Sequence, residues 1–264
     1  MNFVKNIISR SLSFKVLIPS ASRVILAYHD VSEINSPQYS ELYSTKPGRF
    51  FEQIEFLQQN FNLVSLDEII SANSSVKPMV AITFDDGFLS VKELALKFLK
   101  AQNIPFAVFL NQTAIKENYL PYDQFDEINR RYKTQVYLNA NDIRDLHKDG
   151  VIIGSHTSNH RTIANCDEKI LGEEIDENKK FLEDLIGEKV LHFAIPYGKK
   201  EHYNEKSVAH CQTAGHQFIY STNPIYFSKA VNSETLIPRI GISNQTPKEL
   251  CFLINRPLIK KIDI

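Results

Sequence analysis

Cysteine and glycine are both scarce in this sequence of 264 residues. The three cysteines, Cys166, Cys211 and Cys251, are widely spaced and form no C-x-x-C pair. An odd number of cysteines in this pattern provides neither a disulfide framework nor a thiolate zinc site. We therefore expect three reduced, mostly buried thiols, which mildly favours a reducing compartment. The small number of glycines, 9, also argues against a glycine-dense repeat.

The sequence also lacks excess charge and long apolar runs. Lysine and arginine number 30 against 31 acidic residues, so the formal net charge is -1 and broad electrostatic binding of nucleic acid is not expected. No stretch approaches the roughly 18 apolar residues of a membrane span. The hydrophobic fraction of 43% nevertheless supplies ample material for a buried core.

Residues 1–23 carry basic side chains and no acidic one. The apolar core that a secretory signal requires is interrupted at Ser9-Arg10 and again at Lys15. We interpret 1–23 as a basic N-terminal lead-in that forms a surface helix. The alternative is loose contact with an anionic membrane face, helped by three basic residues near the other end of the chain, Arg256, Lys260 and Lys261. We expect a cytoplasmic or membrane-associated protein.

Apolar runs and helical patterns alternate along the rest of the chain. Apolar runs typical of strands lie at 24–28, 79–84, 105–110, 151–153, 190–195 and 217–220, and helical patterns lie at 49–60, 91–102, 139–148 and 167–186. This alternation favours parallel strands joined by crossover helices, and strands this apolar should be covered on both faces. Length alone would allow two domains, but single α/β barrels of about 250 residues are common. We predict one α/β barrel-like domain with an inserted loop at 111–137.

Two adjacent carboxylates, Asp85 and Asp86, directly follow the apolar run at 79–84. Carboxylates at the end of a buried strand are costly unless they bind something. Because neighbouring side chains point in different directions, one carboxylate can bind a metal while the other faces a substrate. The alternative is a solvated turn with a helix cap.

Two histidines, His156 and His160, follow the apolar run at 151–153. Their i, i+4 spacing predicts that both imidazoles lie on one face of a helical turn, which is a workable metal-chelating arrangement. Such a pair also occurs by chance. Joined to Asp86, however, it supplies two nitrogens and one oxygen, a facial set that leaves positions open for water and substrate.

A third stretch, Pro196-Tyr197-Gly198, follows the apolar run at 190–195. A proline and a glycine at a strand end predict a rigid turn with an exposed backbone N–H. Such an N–H can stabilise an oxyanion, although this stretch by itself indicates only a loop.

Together the three stretches resemble the polysaccharide deacetylase family, also called carbohydrate esterase family 4 or the NodB-homology domain. TFDDG at 83–87, HTSNH at 156–160 and PYG at 196–198 occur in the family's order. The resemblance implies a distorted (β/α) barrel with its site at the C-terminal strand ends. It also implies a catalytic domain over 24–264. The implied site residues are Asp85 as catalytic base and Asp86, His156 and His160 as metal ligands.

Two features of the family pattern are absent. Many members carry an arginine two residues before the proline of the third stretch, where it steadies the base, and here that position is Ala194. The usual catalytic histidine near the C-terminus is also not visible. Tyr28-His29 resembles the corresponding stretch of a circularly permuted branch, which includes biofilm poly-N-acetylglucosamine deacetylases, and implies His29 as catalytic acid; the alternative is a satisfied core histidine. Arg239 could replace the missing arginine or form an ordinary salt bridge.

The resemblance implies a metal-dependent hydrolase that removes N-acetyl groups from an amino sugar in a polysaccharide, oligosaccharide or lipid-linked glycan. Nitrogen and oxygen ligands suit one divalent ion, zinc, and fit cobalt or nickel as well. The sequence has no tryptophan, so sugar stacking falls to tyrosine or phenylalanine, with Tyr197 the nearest candidate and the loop at 111–137 a candidate lid. His202 has no ligand-like spacing to the motifs. The alternatives are an O-acetyl esterase, an amidase or deformylase with the same site, and a non-catalytic glycan-binding descendant.

Overall fold

The computed structural model describes residues 16–36, 40–72, 75–121, 135–227 and 236–259. Most of the lead-in predicted at 1–23 lies outside these residues, as do Lys260, Lys261 and the middle of the loop predicted at 111–137. Within the described ranges, no helix is both long and apolar enough to cross a membrane.

Parallel strands form a closed barrel. The strands of the described residues are β1 Arg23–Tyr28, β2 Asn62–Leu63, β3 Met79–Phe84, β4 Phe106–Leu110, β5 Ile152–Ser155, β6 His192–Ala194, β7 Phe218–Thr222 and β8 Ile237–Gly241. Their order is β1–β8–β7–β6–β5–β4–β3, and the ring closes because β3 pairs with β1 in parallel over six residues, from Arg23 opposite Met79 to Tyr28 opposite Phe84. The short β2 pairs with the start of β3. The distorted (β/α) barrel expected from the sequence is confirmed.

Helices cover the outside of the barrel. Their bounds in the described residues are α1 Pro47–Asn60, α2 Leu66–Ser71, α3 Val91–Leu96 with Lys97–Lys100, α4 Gln112–Glu117, α5 Ala140–Lys148, α6 Glu168–Leu171 with Gly172–Asp176 and Glu177–Ile186, α7 Glu205–Thr213 and α8 Pro247–Ile259. The first part of α3 and the middle part of α6 are π-helical. Local sequence explains the ends of two helices. Asn139 caps α5 in a capping box with Asp142, and Gly187 ends α6 with a left-handed φ of 77°.

Side chains alternate between two packing layers along each strand. On β3, Val80, Ile82 and Phe84 pack in the cluster beneath the helices, whereas Met79 and Ala81 belong to a second cluster inside the barrel. Residues two apart share a face of a strand, so the interior row of β3 continues to the first position after the strand. That position is Asp85. Strand periodicity therefore aims this carboxylate over the barrel interior.

The same alternation aims two further polar residues at the interior. On β1, Ile25 lies in the interior cluster, and His29 is four residues further along the same face. On β8, Ile237 lies in the interior cluster and Arg239 follows two residues later. Three separate strands thus direct a titratable or charged side chain toward one end of the barrel.

Several elements were not predicted from the sequence: β2, α2, α4, α7, β8 and α8. Helix α4 lies within the stretch that was predicted as a loop at 111–137, so the first part of that prediction is wrong. The strand β8 contains Pro238, which has no N–H for a sheet ladder and weakens the strand signal. The short β2 has only two residues, which is below the length that periodicity can detect.

Candidate active site

Asp85 is bound by Arg239 at the end of the barrel. Arg239 Nη1 and Nη2 donate to Asp85 Oδ1 and Oδ2, each at 2.7 Å, and Nη1 also donates to the Thr83 hydroxyl at 3.1 Å. Both charged side chains are buried, with 1% of Arg239 and 3% of Asp85 exposed. The guanidinium carbon lies 4.9 Å from the centre of the Phe109 ring. A bidentate contact of this kind fixes the plane of the carboxylate as well as its charge.

The charge of Asp85 results from two opposing effects. Burial alone would raise the pKa of this carboxyl, but the charge and the hydrogen bonds of the Arg239 guanidinium outweigh burial and hold the pKa below its usual range. Asp85 is therefore ionised at neutral pH. Arg239 on β8 thus supplies the positive charge beside Asp85 that Ala194 on β6 cannot supply.

Asp86, His156 and His160 converge beside Asp85. Asp86 Oδ1 lies 3.5 Å from His156 Nε2 and 3.4 Å from His160 Nε2. One ligand atom from each of the three residues falls within 4.8 Å of the others, and all three side chains are buried. Ligand atoms that bind zinc tetrahedrally at about 2.0–2.1 Å are separated by about 3.3–3.4 Å. The donor set and its spacing therefore fit a small divalent cation.

The orientation of the His156 ring is fixed by a hydrogen bond at Nδ1, the nitrogen that faces away from Asp86. Its Nδ1 lies 2.7 Å from the carbonyl oxygen of Ala194, and because a carbonyl only accepts, Nδ1 carries the proton and donates. Nε2 is then the unprotonated nitrogen, which faces Asp86. Burial, with smaller contributions from His160 and Arg239, lowers the pKa of His156 to about 3. The imidazole is neutral at neutral pH, as a metal ligand must be.

The prediction that His156 and His160 lie on a helical turn is wrong. Residues 156–160 form an irregular loop after β5, in which Thr157 and His160 have left-handed φ values of 64° and 58°. Asp86 and Tyr197 share this conformation, with φ of 67° and 58°. Left-handed backbone costs a non-glycine residue roughly 1 kcal/mol or more, and it clusters at functional sites where surrounding contacts hold it. The loop nevertheless brings the two rings to a centroid distance of 4.9 Å.

Asn111 supports this loop and was not singled out from the sequence. It follows β4, is fully buried, and its Nδ2 donates to the carbonyl oxygens of His156 and Thr157, the latter at 3.0 Å. In the sequence it is the first residue after an apolar strand, as Asp85 and His156 are, and this position is the signal that could have identified it.

His29 stands next to Asp85 on the neighbouring strand. The backbone N–H of Asp85 donates to the carbonyl of Tyr28 at 2.9 Å, so the residues that follow β1 and β3 leave the barrel side by side. The His29 ring is half-buried and lies 5.9 Å from the ring of Tyr43. Its Nδ1 is buried and makes no hydrogen bond within the described residues. This argues against a satisfied core histidine.

Tyr197 places an exposed aromatic ring beside His160. Its ring lies 4.7 Å from that of His160 and 5.2 Å from that of His202, and 46% of the residue is exposed. The turn with Pro196 is tight, because the Gly198 N–H donates to the Pro196 carbonyl at 2.7 Å. It also packs closely on β7, where a Cβ on Gly198 would lie 2.4 Å from the backbone nitrogen of Thr222. His202, which has no ligand-like spacing in the sequence, thus reaches the site through its contact with Tyr197.

Comparison with known proteins identifies the family of this chain. The chain matches the family model described as polysaccharide deacetylase over residues 72–219, which is more than half of its length. His29 and Arg239 lie outside that match. YxkH of Bacillus subtilis (strain 168), which carries a provisional polysaccharide deacetylase name, is 22% identical over 206 residues. The alignment covers 76% of this chain but 64% of YxkH, so the chain spans less than two thirds of that relative.

Solved structures share the fold. BC0361, a polysaccharide deacetylase from Bacillus cereus, matches with a TM-score of 0.71 at 20% identity, covering 88% of this chain and 69% of BC0361. The deacetylase PplD of Streptococcus pyogenes, solved in complex with acetate, matches with a TM-score of 0.70 at 18% identity, covering 88% and 98%. At these identities the likeness supports the barrel alone, whereas the match to the family model covers three of the site stretches. This chain belongs to the polysaccharide deacetylase family.

Proposed function

We propose that this protein is a metal-dependent hydrolase that removes N-acetyl groups from an amino sugar in a polysaccharide, oligosaccharide or lipid-linked glycan. One observation carries the proposal. Three residues suited to hold one divalent ion converge beside Asp85, a carboxylate that Arg239 keeps ionised. A module that only binds glycans has no need of a buried ionised acid next to a ligand set, whereas hydrolysis of an amide needs both.

Asp85 is the proposed general base. A divalent ion held by Asp86, His156 and His160, zinc or alternatively cobalt or nickel, would acidify water and polarise the acyl oxygen. Asp85 Oδ2 lies 3.9 Å from His156 Nε2, so the carboxylate borders the space that the three ligands enclose. From there it can accept the proton of the attacking water, while Arg239 holds it in a single orientation.

His29 is the proposed general acid. An amine leaves a tetrahedral intermediate only when it is protonated, since otherwise the intermediate expels water, so amide hydrolysis requires an acid on the leaving-group side. His29 follows β1, which lies between β3 and β8 and therefore between the strands that carry Asp85 and Arg239. This position supports the likeness to the circularly permuted branch of the family.

The His29→Ala variant is expected to lower kcat at least about 100-fold and to keep the metal content of the wild type, because His29 transfers a proton and is not a ligand. His29→Gln is the matched control, since it keeps a hydrogen-bonding side chain that cannot deliver a proton. We expect the same loss of kcat in this variant as in His29→Ala. Metal content is measured by mass spectrometry and kcat by acetate release. Near-normal turnover in either variant would remove His29 from this role.

Tyr197 has two proposed roles. Its backbone N–H, in the turn shaped by Pro196 and Gly198, is the candidate donor to the oxyanion of the tetrahedral intermediate. Its exposed ring is the candidate platform for the apolar face of the sugar, because the sequence has no tryptophan.

The experiment that tests the function is a screen of acetate release from N-acetylated oligosaccharides and lipid-linked sugars, with and without a chelator. The proposal expects release that the chelator abolishes and that added zinc restores. Faster release from O-acetylated sugars would favour an esterase, and turnover of formyl or cyclic amides an amidase. Bound metal without turnover of any acylated sugar would favour a glycan-binding descendant.

Contact with an anionic membrane face belongs to the same proposal, through the basic residues of both chain ends. The Leu17 backbone N–H donates to Asn255 Oδ1 at 2.9 Å, so the start of the described chain lies against α8. Arg256 is exposed on that helix. Sedimentation with anionic but not with neutral vesicles is the expected result.

A further inference from the structure

A buried carboxylate holds the loop that carries His160. Glu174, with 3% of the residue exposed, lies in α6. Its Oε2 accepts the backbone N–H of Asn159 at 2.9 Å, and its Oε1 accepts the Asn159 side-chain amide, also at 2.9 Å. Both carboxylate oxygens are therefore used on the one residue that directly precedes His160.

The backbone around Glu174 extends this contact. Glu174 lies in the π-helical turn Gly172–Asp176, a rare kind of turn that occurs frequently at functional sites. The carbonyl of Glu174 accepts the Ser158 N–H at 2.8 Å, and that of Glu173 accepts the Ser158 hydroxyl at 2.7 Å. Ser158 and Asn159 are thus fixed to one turn of α6 by four hydrogen bonds.

The opposite side of Asn159 is fixed as well. The Thr113 hydroxyl donates to Asn159 Oδ1 at 2.8 Å, and the Thr113 N–H donates to the Ser158 carbonyl at 3.0 Å. The orientation of the Asn159 amide is set by Glu174, because a carboxylate only accepts whereas the Thr113 hydroxyl can donate or accept. The amide oxygen faces α4 and the amide nitrogen faces Glu174.

The two histidines of the ligand set depend on this support to different extents. His156 follows β5 directly and is oriented by the Ala194 carbonyl, so the barrel itself fixes it. His160 lies at the end of the irregular loop with a left-handed φ of 58°, a conformation that persists only when neighbouring contacts impose it. The His160 ring lies beside those of His156 and Tyr197, and the contact from Glu174 to Asn159 fixes the backbone that immediately precedes it.

We propose that Glu174 is a positioning residue for metal binding, which acts through Asn159 to hold His160 Nε2 at bonding distance from the ion shared with Asp86 and His156. The inference rests on the proposed metal site but not on the identity of the substrate. Groups that orient metal ligands without touching the ion typically change metal affinity by about 10- to 100-fold when they are removed.

Glu174→Gln tests the proposal. The glutamine oxygen can still accept the Asn159 N–H, but the glutamine NH₂ then faces the Asn159 NH₂, so the Asn159 amide must turn over, with the Thr113 hydroxyl as acceptor on its other side. Both hydrogen bonds to a charged acceptor that fix Asn159 are lost. We expect zinc affinity, measured by competition with a chromophoric chelator, to fall about 10- to 100-fold. The visible spectrum of the cobalt-loaded protein should change, because the geometry at His160 changes.

Glu173→Gln is the matched control. Glu173 is the preceding residue of the same turn, but its half-exposed side chain lies 3.8 Å from Lys169 at the surface and only its backbone touches the loop. We expect its zinc affinity to stay within about twofold of the wild type. An equal loss in both variants, or an unchanged affinity in Glu174→Gln, would overturn the proposal.

A reversal of the hydrogen bond gives the sharpest test. Asn159→Asp alone places two carboxylates face to face and should weaken zinc binding. In the double variant Glu174→Gln, Asn159→Asp, the glutamine NH₂ donates to the aspartate, and we expect zinc affinity to return to within about threefold of the wild type. A folded double variant that binds zinc no better than the single variants contradicts the proposal.

Two further measurements distinguish the role of Glu174 from a folding defect and from failure of the proposed function. Thermal unfolding of the metal-free variants reports whether they fold. If Glu174→Gln does not fold, Asn159→Ala takes its place, because it removes the side chain that Glu174 Oε1 holds, and an unchanged zinc affinity there contradicts the proposal. Wild-type protein that binds zinc but releases no acetate would contradict the proposed function and leave the role of Glu174 standing. Wild-type protein that binds no zinc would overturn both.

Discussion

Replacing His160 with alanine is expected to remove both the metal and the activity. His160 Nε2 lies 3.4 Å from Asp86 Oδ1, and without it the ion would keep two protein ligands instead of three. The ion contributes several kcal/mol to stabilising the transition state, and each 1.4 kcal/mol is a factor of ten in rate. We expect kcat to fall at least about 1,000-fold at stoichiometric zinc, as measured by acetate release alongside metal content.

His202→Ala is the control for that experiment. His202 also contacts Tyr197 and is half-buried, but it is not among the three residues that converge as a ligand set. Its variant should retain full metal content. Full occupancy in the His160→Ala protein would mean that the ligand set is wrong, and with it the assignment of Asp86 and His156.

Replacing Arg239 with methionine is expected to affect both stability and pH dependence. Asp85 would remain buried without the cation that compensates its charge, and breaking a buried pair on one side typically costs about 3–5 kcal/mol of the free energy of unfolding. Without the guanidinium, burial and the ligand environment decide the pKa of Asp85, which must rise. A general base is active above its own pKa, so the acid limb of kcat/KM should move to higher pH in the variant.

A double variant distinguishes the structural role of this pair from its role in catalysis. In Arg239→Met, Asp85→Asn both buried charges are gone, so the thermal midpoint should recover most of the loss while turnover stays at least about 100-fold below the wild type. If Arg239→Met keeps the wild-type pH profile, the contact at 2.7 Å is structural and does not tune the base.

The sequence shows where the site lies because parallel strands end at the same edge. Asp85, His156 and Tyr197 each follow an apolar run, and that is sufficient to predict that they meet. The barrel and the principal helices were also predictable from periodicity. Arg239 was proposed only because Ala194 lacks a charge, since Pro238 beside it obscures the strand that carries it.

The conformation of the loop at 156–160 could not be derived from spacing. The i, i+4 distance in sequence is the same in a helix and in this loop, and the choice is made by distant residues. Glu174 lies 14 positions beyond His160 in a helix whose apolar periodicity gives no indication of it, and Asn111 lies on a different strand end. Hydrogen bonds between segments that meet only after folding leave no local pattern to read.

Closure of the barrel by β1 and β8 has a consequence for synthesis of the protein. The first strand of the barrel pairs with the last, so Leu26 finds Ile240 only after more than 200 intervening residues exist. A ribosome-bound chain that has reached Thr222 already contains Asp85 and the three proposed metal ligands. Its ring of strands is still open between β7 and β1, and it lacks Arg239, the partner of Asp85. Under the proposed function, the contact that orients the base therefore forms only with this last strand of the ring, after all three proposed metal ligands have been synthesised.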